Sequence, residues 1–286
     1  MTFSIVACDL DESAWGVAVA SKFPAVGAVV PWGQAGAGAV ATQSFANTSF
    51  GPRALDLMAT GLSAKEALHR LLADDPGRAS RQLGLVDSQG GTATYTGSEC
   101  FGWAGGVSGD GYAIQGNILR SASVVPAMEK VLLEHRGNLP ARLYDALLAG
   151  DRAGGDKRGR QSAAIYVVKA GAGYGGFNDR WLDYRVDDHE DPVLRLGQLI
   201  EMHDLYFGKS AEADRIPLVG TDLQRLQRLL YKQGYLSSVG TAELDLATRQ
   251  ALVAFIGNEN FEERADPAAG WIDKPVLDYI YRKFED

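Results

Sequence analysis

The chain opens on apolar runs of strand-like length. TFSIVAC (2–8), WGVAVAS (15–21), AVGAVVPW (25–32) and GAVATQSF (38–45) are rich in Val, Ala and Ile, with turn residues at 9–12 and 33–38 between them. Their apolar residues are consecutive rather than alternating, which predicts a sheet covered on both faces. Helical spacing then takes over across 52–74. Pro52 suits a first helical turn and Gly61 a C-terminal stop. Ser63-Ala-Lys-Glu66 is a capping-box pattern, opening a second helix with Ala67, Leu68, Leu71 and Leu72 on one stripe. Strands return at 81–87, 91–97 and 111–117, helices near 123–136 and 140–149, strands at 162–168 and 180–186, and a helix near 190–206. This blocked order favours α+β layers over a βαβ repeat.

Residues 207–219 are polar and read as a linker, with Pro217 and Gly220 punctuating its end. A small helical domain is expected over 220–286. Thr221 reads as a cap for a helix with Leu223, Leu226, Leu229 and Leu230 on one stripe, followed by helices near 245–256 and 274–284. The expected division is therefore 1–206, a linker at 207–219, and 220–286.

Charge narrows the function classes. The net charge is −8, shared evenly between the residues before and after position 210, so no basic face emerges and binding to a nucleic-acid backbone is disfavoured. Cys8 and Cys100 cannot form a disulfide scaffold. No apolar run approaches the ~20 residues that span a bilayer. The start MTFSIVACDLDE lacks the basic opening of a secretory signal. A cytoplasmic protein without membrane contact is the expectation.

Much familiar chemistry is missing. There is no GxxxxGK[ST], CxxC, HExxH or GxSxG pattern. His69, His135, His189 and His203 are scattered, so neither a metal nor a cofactor is expected. A GxGxxG match at Gly171, Gly173 and Gly176 is followed by FNDRWLDYR, which reads as loop and strand, so it is taken as a turn. The acidic run 187–191 before Pro192 reads as a helix N-terminus.

What remains is the N-terminus. Methionine removal is efficient before a small residue, so the mature chain is expected to begin at Thr2. The α-amine of an N-terminal Thr lies beside its own hydroxyl. Its reference pKa of about 7.7–8.0 lets it take the hydroxyl proton near neutral pH without a histidine. Thr2 starts a strand at once, sharing a face with Ser4, Val6 and Cys8. The next strand ends in Ser21-Lys22, and Lys22 beside Thr2 would hold the amine neutral by like charge; the plainer reading is a lysine snorkelling at a strand end.

The segments TFSIVACD, WGVAVASKFPAVGAVVPWGQAGAGAVATQ, FGPRALDLM, RQLGLVD, GYAIQGN, GGDKRGRQSAA and WLDYRVDDHEDPV resemble the domain-of-unknown-function 1028 family over residues 2–206. That resemblance implies membership of the N-terminal nucleophile (Ntn) hydrolases. It implies a four-layer αββα sandwich and cleavage of amide bonds by an N-terminal Thr, Ser or Cys. The tail, LQRLQRLLYKQGYLSSVGTAELDLATRQALVAF, resembles a peptidoglycan-binding-like three-helix domain; the matching residues are mostly core positions, so they speak for fold more than for ligand.

An acyl-transfer site needs donors for a developing oxyanion. Gln115-Gly116-Asn117 offers two amides at a strand end, and Gln43 and Asn47 bracket the end of the fourth strand. By resemblance to N-terminal threonine hydrolases, Asp156 and Ser162 would orient the α-amine. Arg158 or Arg160 would hold a substrate carboxylate bidentately; the competing reading is a solvated loop knit by ion pairs. The sequence thus points to a cofactor-free amidohydrolase acting on a linear amide in a small metabolite. Thr2, Lys22, Asn117, Asp156 and Ser162 would carry the chemistry, and Gln43, Asn47, Gln115, Arg158 and Arg160 would line the substrate site. The alternatives are a non-catalytic ligand- or glycan-binding protein on the same scaffold, or a hydrolase of peptidoglycan-derived peptides. A homodimer is expected, because large sheet sandwiches of this superfamily commonly pair.

Overall fold

The structure is a computed structural model, and it describes residues 2–240 and 242–285. Contacts divide the chain into Met1–Gln198 and Leu199–Asp286, a boundary that falls inside a helix. The first unit holds β1 (Thr2–Asp9), β2 (Ala14–Ser21), β3 (Pro31–Gln34), β4 (Gly38–Ser44), α1 (Phe50–Ala59), α2 (Ala64–Ala73), β5 (Arg81–Asp87), β6 (Thr92–Thr96), β7 (Trp103–Gly109), β8 (Tyr112–Leu119), α3 (Val124–Glu134), α4 (Leu139–Arg152), β9 (Ser162–Lys169) and β10 (Arg180–Val186). Helix α5 (Pro192–Phe207) contains the boundary.

Two antiparallel sheets form in this unit. The larger runs β10-β9-β2-β1-β8-β7 and the smaller β3-β4-β5-β6. They face each other through β1 and β2 against β4, and β8 against β5. Alternation along the strands sorts the side chains. Val6, Val17, Val19, Ala39, Ala41 and Val86 meet between the sheets. Val40, Leu83 and Leu85 point the other way, into α1 and α2. Helices α3 and α4 cover β1, β2 and β8 from the far side. Each fully buried Val or Leu contributes about 1.5–3 kcal/mol. The doubly covered strands therefore account for the consecutive apolar runs.

The capping box of α2 is formed. The Ser63 hydroxyl accepts from the Glu66 N–H at 3.3 Å, and the Glu66 carboxylate accepts from the Ser63 N–H at 2.9 Å. Two local readings are corrected, and the glycine match is the expected turn. The run 25–32 is not one strand: Ala25 is left-handed at φ 51°, Val26–Ala28 form a 3-10 turn, and the strand starts only at Pro31. Val26 and Val30 are buried between the sheets, so apolarity there marks core contact without strand geometry. Strand β7 was not anticipated, because WAGGVSG has too few apolar residues to show a period. In the loop after β9, Gly171, Gly173 and Gly176 surround a 3-10 turn at Tyr174–Gly176 that leads into β10, with no helix.

The second unit holds β11 (Arg215–Pro217), α6 (Gly220–Lys232), α7 (Leu246–Asn258), β12 (Ala265–Asp266), β13 (Trp271–Asp273) and α8 (Lys274–Phe284). Leu223, Leu226, Leu230, Leu252, Phe255, Ile272, Val276 and Ile280 form its core. Part of the expected linker belongs to this unit. Strand β11 pairs with β13 in a small three-stranded sheet, and Leu218 is buried in the core. Helix α6 takes Val219 as its N-cap without a side-chain hydrogen bond, so Thr221 lies inside the helix rather than capping it. No helix among the described residues is long and apolar enough to cross a membrane.

Candidate active site

The layer between the two sheets changes character along its length. In the larger sheet, register pairs Ser162 with Ser21 and Thr2 with Asn117; the Thr2 and Ser21 hydroxyls lie 3.1 Å apart. Ser162, Ser21, Thr2 and Asn117 thus make one polar row at the end of the sheet, the most exposed being Thr2 at 7%. Two residues further in, Ser4 pairs with Gln115 and with Val19, and two further still Val6 pairs with Ala113 and Val17. The face passes from polar to apolar within three rows.

A second polar row faces it from the smaller sheet, where register places Gln43 opposite Gln82 and Gln82 opposite Thr96. The rows are joined by side-chain hydrogen bonds. Ser4 Oγ donates to Gln43 Oε1 at 2.7 Å, and Gln115 Nε2 donates to Ser4 Oγ at 2.6 Å. Gln43 Nε2 and Asn117 Nδ2 each donate to Gln82 Oε1 at 2.8 Å. Gln82 Nε2 donates to the Gly116 carbonyl at 2.8 Å and to Thr96 Oγ1 at 2.9 Å. Gln43 Nε2 also reaches the Thr2 carbonyl at 3.4 Å. The Gln115 amide lies over Gly84, where a Cβ would come within 2.1 Å of Gln115 Oε1. That oxygen is buried with no hydrogen-bond partner. Five amide and hydroxyl side chains are thus withdrawn from water where the neighbouring rows are apolar. An apolar core has no need of them, and each costs free energy unless bonded.

Thr2, Gln43, Gln115 and Asn117 come together in this network. The remaining expected residues lie around it with other partners. Asp156 is buried; its Oδ2 accepts from the Lys22 N–H and its Oδ1 from the Arg158 N–H, both at 2.8 Å. It therefore anchors the loop that follows β2. Ser162 holds the same loop: its hydroxyl donates to the Phe23 carbonyl at 2.5 Å and accepts from the Val26 N–H at 3.1 Å. The Lys22 side chain is exposed. Asn47 serves the entry to α1, accepting from the Ser49 N–H at 3.2 Å and hydroxyl at 2.7 Å. Arg158 folds back to Asp156 at 3.3 Å. Arg160 bridges Asp151 and Asp191 at 2.8 Å each, and the Asp151 hydrogen bond pushes its pKa up. Both arginines thus have the ion-paired loop arrangement. No group of three or more His, Cys, Asp or Glu side chains among the described residues could hold a metal ion.

Gln82 is the site residue that sequence reading passed over, along with its partner Thr96, with Ser4, which bonds Gln43 and Gln115, and with Ser21, which bonds Thr2. Its signal was a glutamine sharing the inward face of RQLGLVD with Gly84 and Val86. The backbone around the polar end is strained. Ser44 and Ile118 have φ of 70° and 49°, directly after Gln43 and Asn117. For β-branched Ile118 this is an outlier held by tertiary contacts. Its N–H donates to the Phe101 carbonyl at 2.8 Å. Phe101 and Phe45 are both exposed, their ring centroids 5.9 Å apart, and Phe101 also lines a surface cavity of about 420 Å³.

The fold and site describe a mixed α/β protein with antiparallel sheets and a buried polar network between them, followed by a helical C-terminal region. The model of a family described as "Family of unknown function (DUF1028)" matches residues 2–196, and the chain belongs to that family. A "Putative peptidoglycan binding domain" model matches residues 206–280. The crystal structure of a DUF1028 protein from Silicibacter pomeroyi is 31% identical, with a TM-score of 0.66, covering 74% of this chain and 88% of that one. A comparison with curated proteins gives no match.

Proposed function

We propose that the N-terminal unit is an Ntn-type amidohydrolase and that its two sheets and flanking helices form the αββα sandwich of that superfamily. The observation that carries this is Thr2, 7% exposed, at the start of β1 inside the buried polar row with Ser21 and Asn117. Once Met1, which lies outside the described residues, is removed, the α-amine and hydroxyl of Thr2 belong to one residue on a rigid strand. Thr2 Oγ attacks the amide carbon while its proton passes to the α-amine. The N–H of Asn117 not bonded to Gln82, with backbone N–H groups, stabilises the oxyanion. The C–N bond breaks, the leaving nitrogen takes the proton, and an ester on Thr2 remains. Water, deprotonated by the same amine, cleaves the ester to the acid and restores Thr2. Asp156 and Ser162 shape the loop carrying Lys22 at the mouth, and the Phe45–Phe101 pair gives the approach an apolar rim.

The substrate class is a linear amide in a small metabolite, handled in the cytoplasm by a homodimer. A second reading is supported by the match over residues 206–280: a glycan- or ligand-binding protein, or a hydrolase of peptidoglycan-derived peptides. The deciding experiment is the intact mass of untagged protein, followed by an amide screen. A mass short by one Met, with hydrolysis present in wild type and absent in Thr2→Ala, is the expected result. Retention of Met1 in folded protein from a processing-competent host overturns the mechanism and favours the binding reading.

A further inference from the structure

The amide orientations of the polar network are not free choices. The Gly116 carbonyl can only accept, so the Gln82 atom 2.8 Å from it must be nitrogen. Gln82 Oε1 then faces Asn117 and Gln43, and both must turn their nitrogens to it. Thr96 Oγ1 and, at 3.3 Å, the Gly105 carbonyl also accept from Gln82 Nε2 and complete its set of five partners. Gln82 is fully buried, so no water competes for these bonds. We propose that Gln82 is the positioning residue of the site: it fixes which way the Asn117 and Gln43 carboxamides point, and so which Asn117 N–H faces the space beside Thr2. The inference rests on reading Thr2 and Asn117 as the reaction site, but the orientation itself can be measured without any reaction.

The chemical probe is a β-lactone. The Thr2 Oγ–H adds to it: the ring acyl C–O bond breaks, the acyl group joins Thr2 Oγ, and the ring oxygen leaves as a hydroxyl with the proton. Intact mass follows the rate in Met1-free protein. Loss of an oxyanion donor lowers such rates by about 10²–10³-fold. Asn117→Ala is expected in that range and Gln82→Met at about 10–100-fold, acting through the same group. The double variant should be no slower than Asn117→Ala alone, because neighbours in one network are not additive. A merely structural role would give multiplied losses, and that result overturns the proposal.

The independent readout is the side-chain amide of Asn117 in 15N-labelled full-length protein, assigned by its disappearance in Asn117→Ala. In Gln82→Met its N–H signals should shift and exchange with solvent at least about tenfold faster, as expected for a lost buried hydrogen bond. Unchanged signals overturn the proposal. If Gln82→Met fails to fold, Thr96→Val removes one of the five partners and should move the same signals by less; no movement there also overturns it. A wild type with free Thr2 that resists the lactone sinks the hydrolase reading, while the amide signals still decide the role of Gln82.

Discussion

In the C-terminal unit, Gln227 is fully buried. Its nitrogen donates to the Glu243 carbonyl and Thr248 Oγ1, both at 3.0 Å, and its oxygen accepts from the Ala242 N–H at 3.1 Å. Arg264 is likewise buried, bonded to Asp273 at 2.7 Å and to the carbonyls of Asp204 and Leu205. Gln227 thus satisfies the backbone of an irregular segment at 242–243, and Arg264 serves the carbonyls in the last turn of α5. In the N-terminal unit, Gln82, Gln43, Gln115 and Asn117 are as deeply buried but sit inside regular strands, whose backbone is already paired. They bond one another and the Ser4 and Thr96 hydroxyls, and their nitrogens reach carbonyls of the same two sheets. Burial of a polar side chain alone therefore does not mark a site; burial within a complete ladder, toward a like-minded set, does.

The sharpest way to break this contrast is Thr2→Ala. Acyl transfer should fall by at least about 10³-fold, the scale for losing a nucleophile, while the fold is kept. Lactone labelling and circular dichroism together check it; labelling that survives in Thr2→Ala refutes the assignment. Arg264→Leu should do the opposite. It leaves Asp273 buried and unpaired, at a cost of about 3–5 kcal/mol, with Thr2 labelling unchanged. Hydrogen exchange in α6, α7 and α8 reads the loss, and replacing Asp273 with Leu as well should recover most of it. An unaffected C-terminal unit would mean the pair is not structural.

A smaller effect is expected at Gly84. The Cβ of Gly84→Ala would meet the Gln115 amide, which cannot move without losing Ser4. Overpacking of this kind costs about 1–3 kcal/mol, and here it should also slow labelling. Urea unfolding and the lactone rate check both; a change in stability without a change in rate would separate packing from site geometry.

How far the sequence revealed this follows from what strand patterns encode. Thr2 could be singled out because it follows Met1, and Gln43, Gln115 and Asn117 because each is an amide near a strand end. Their convergence could not, since it depends on β1 pairing with β8 across more than a hundred residues of chain. Gln82 lay hidden because the start of a strand is an ordinary place for a glutamine, and only the facing sheet makes it a hub. Strand β7 was hidden by its glycines and β11 by its polar surroundings. The loop residues Asp156 and Ser162 were visible as chemistry, but their partners are backbone groups that no side-chain pattern announces.

The mildest test uses the far end of Thr2's own strand. Cys8 shares the face of Thr2 but lies in the apolar rows with Val6, Trp15 and Val17. Burial, then the charges of Asp87, Asp9 and Asp110, push its thiol from 9.0 up to about 11. The thiolate is the reactive form, so iodoacetamide at pH 8 should modify Cys8 only after unfolding, and Cys8→Ala should leave Thr2 labelling unchanged. The sign of the pH effect follows from linkage. Between 9 and 11 the folded chain keeps a proton that the unfolded chain releases, so the stability present below pH 9 is lost as pH rises toward 11. Urea midpoints at pH 8 and pH 10.5 should show the loss, and Cys8→Ala should flatten it. Rapid alkylation of folded protein at neutral pH would mean that this end of the layer is open to water. The contrast between a polar reactive end and a dry structural end would then fail.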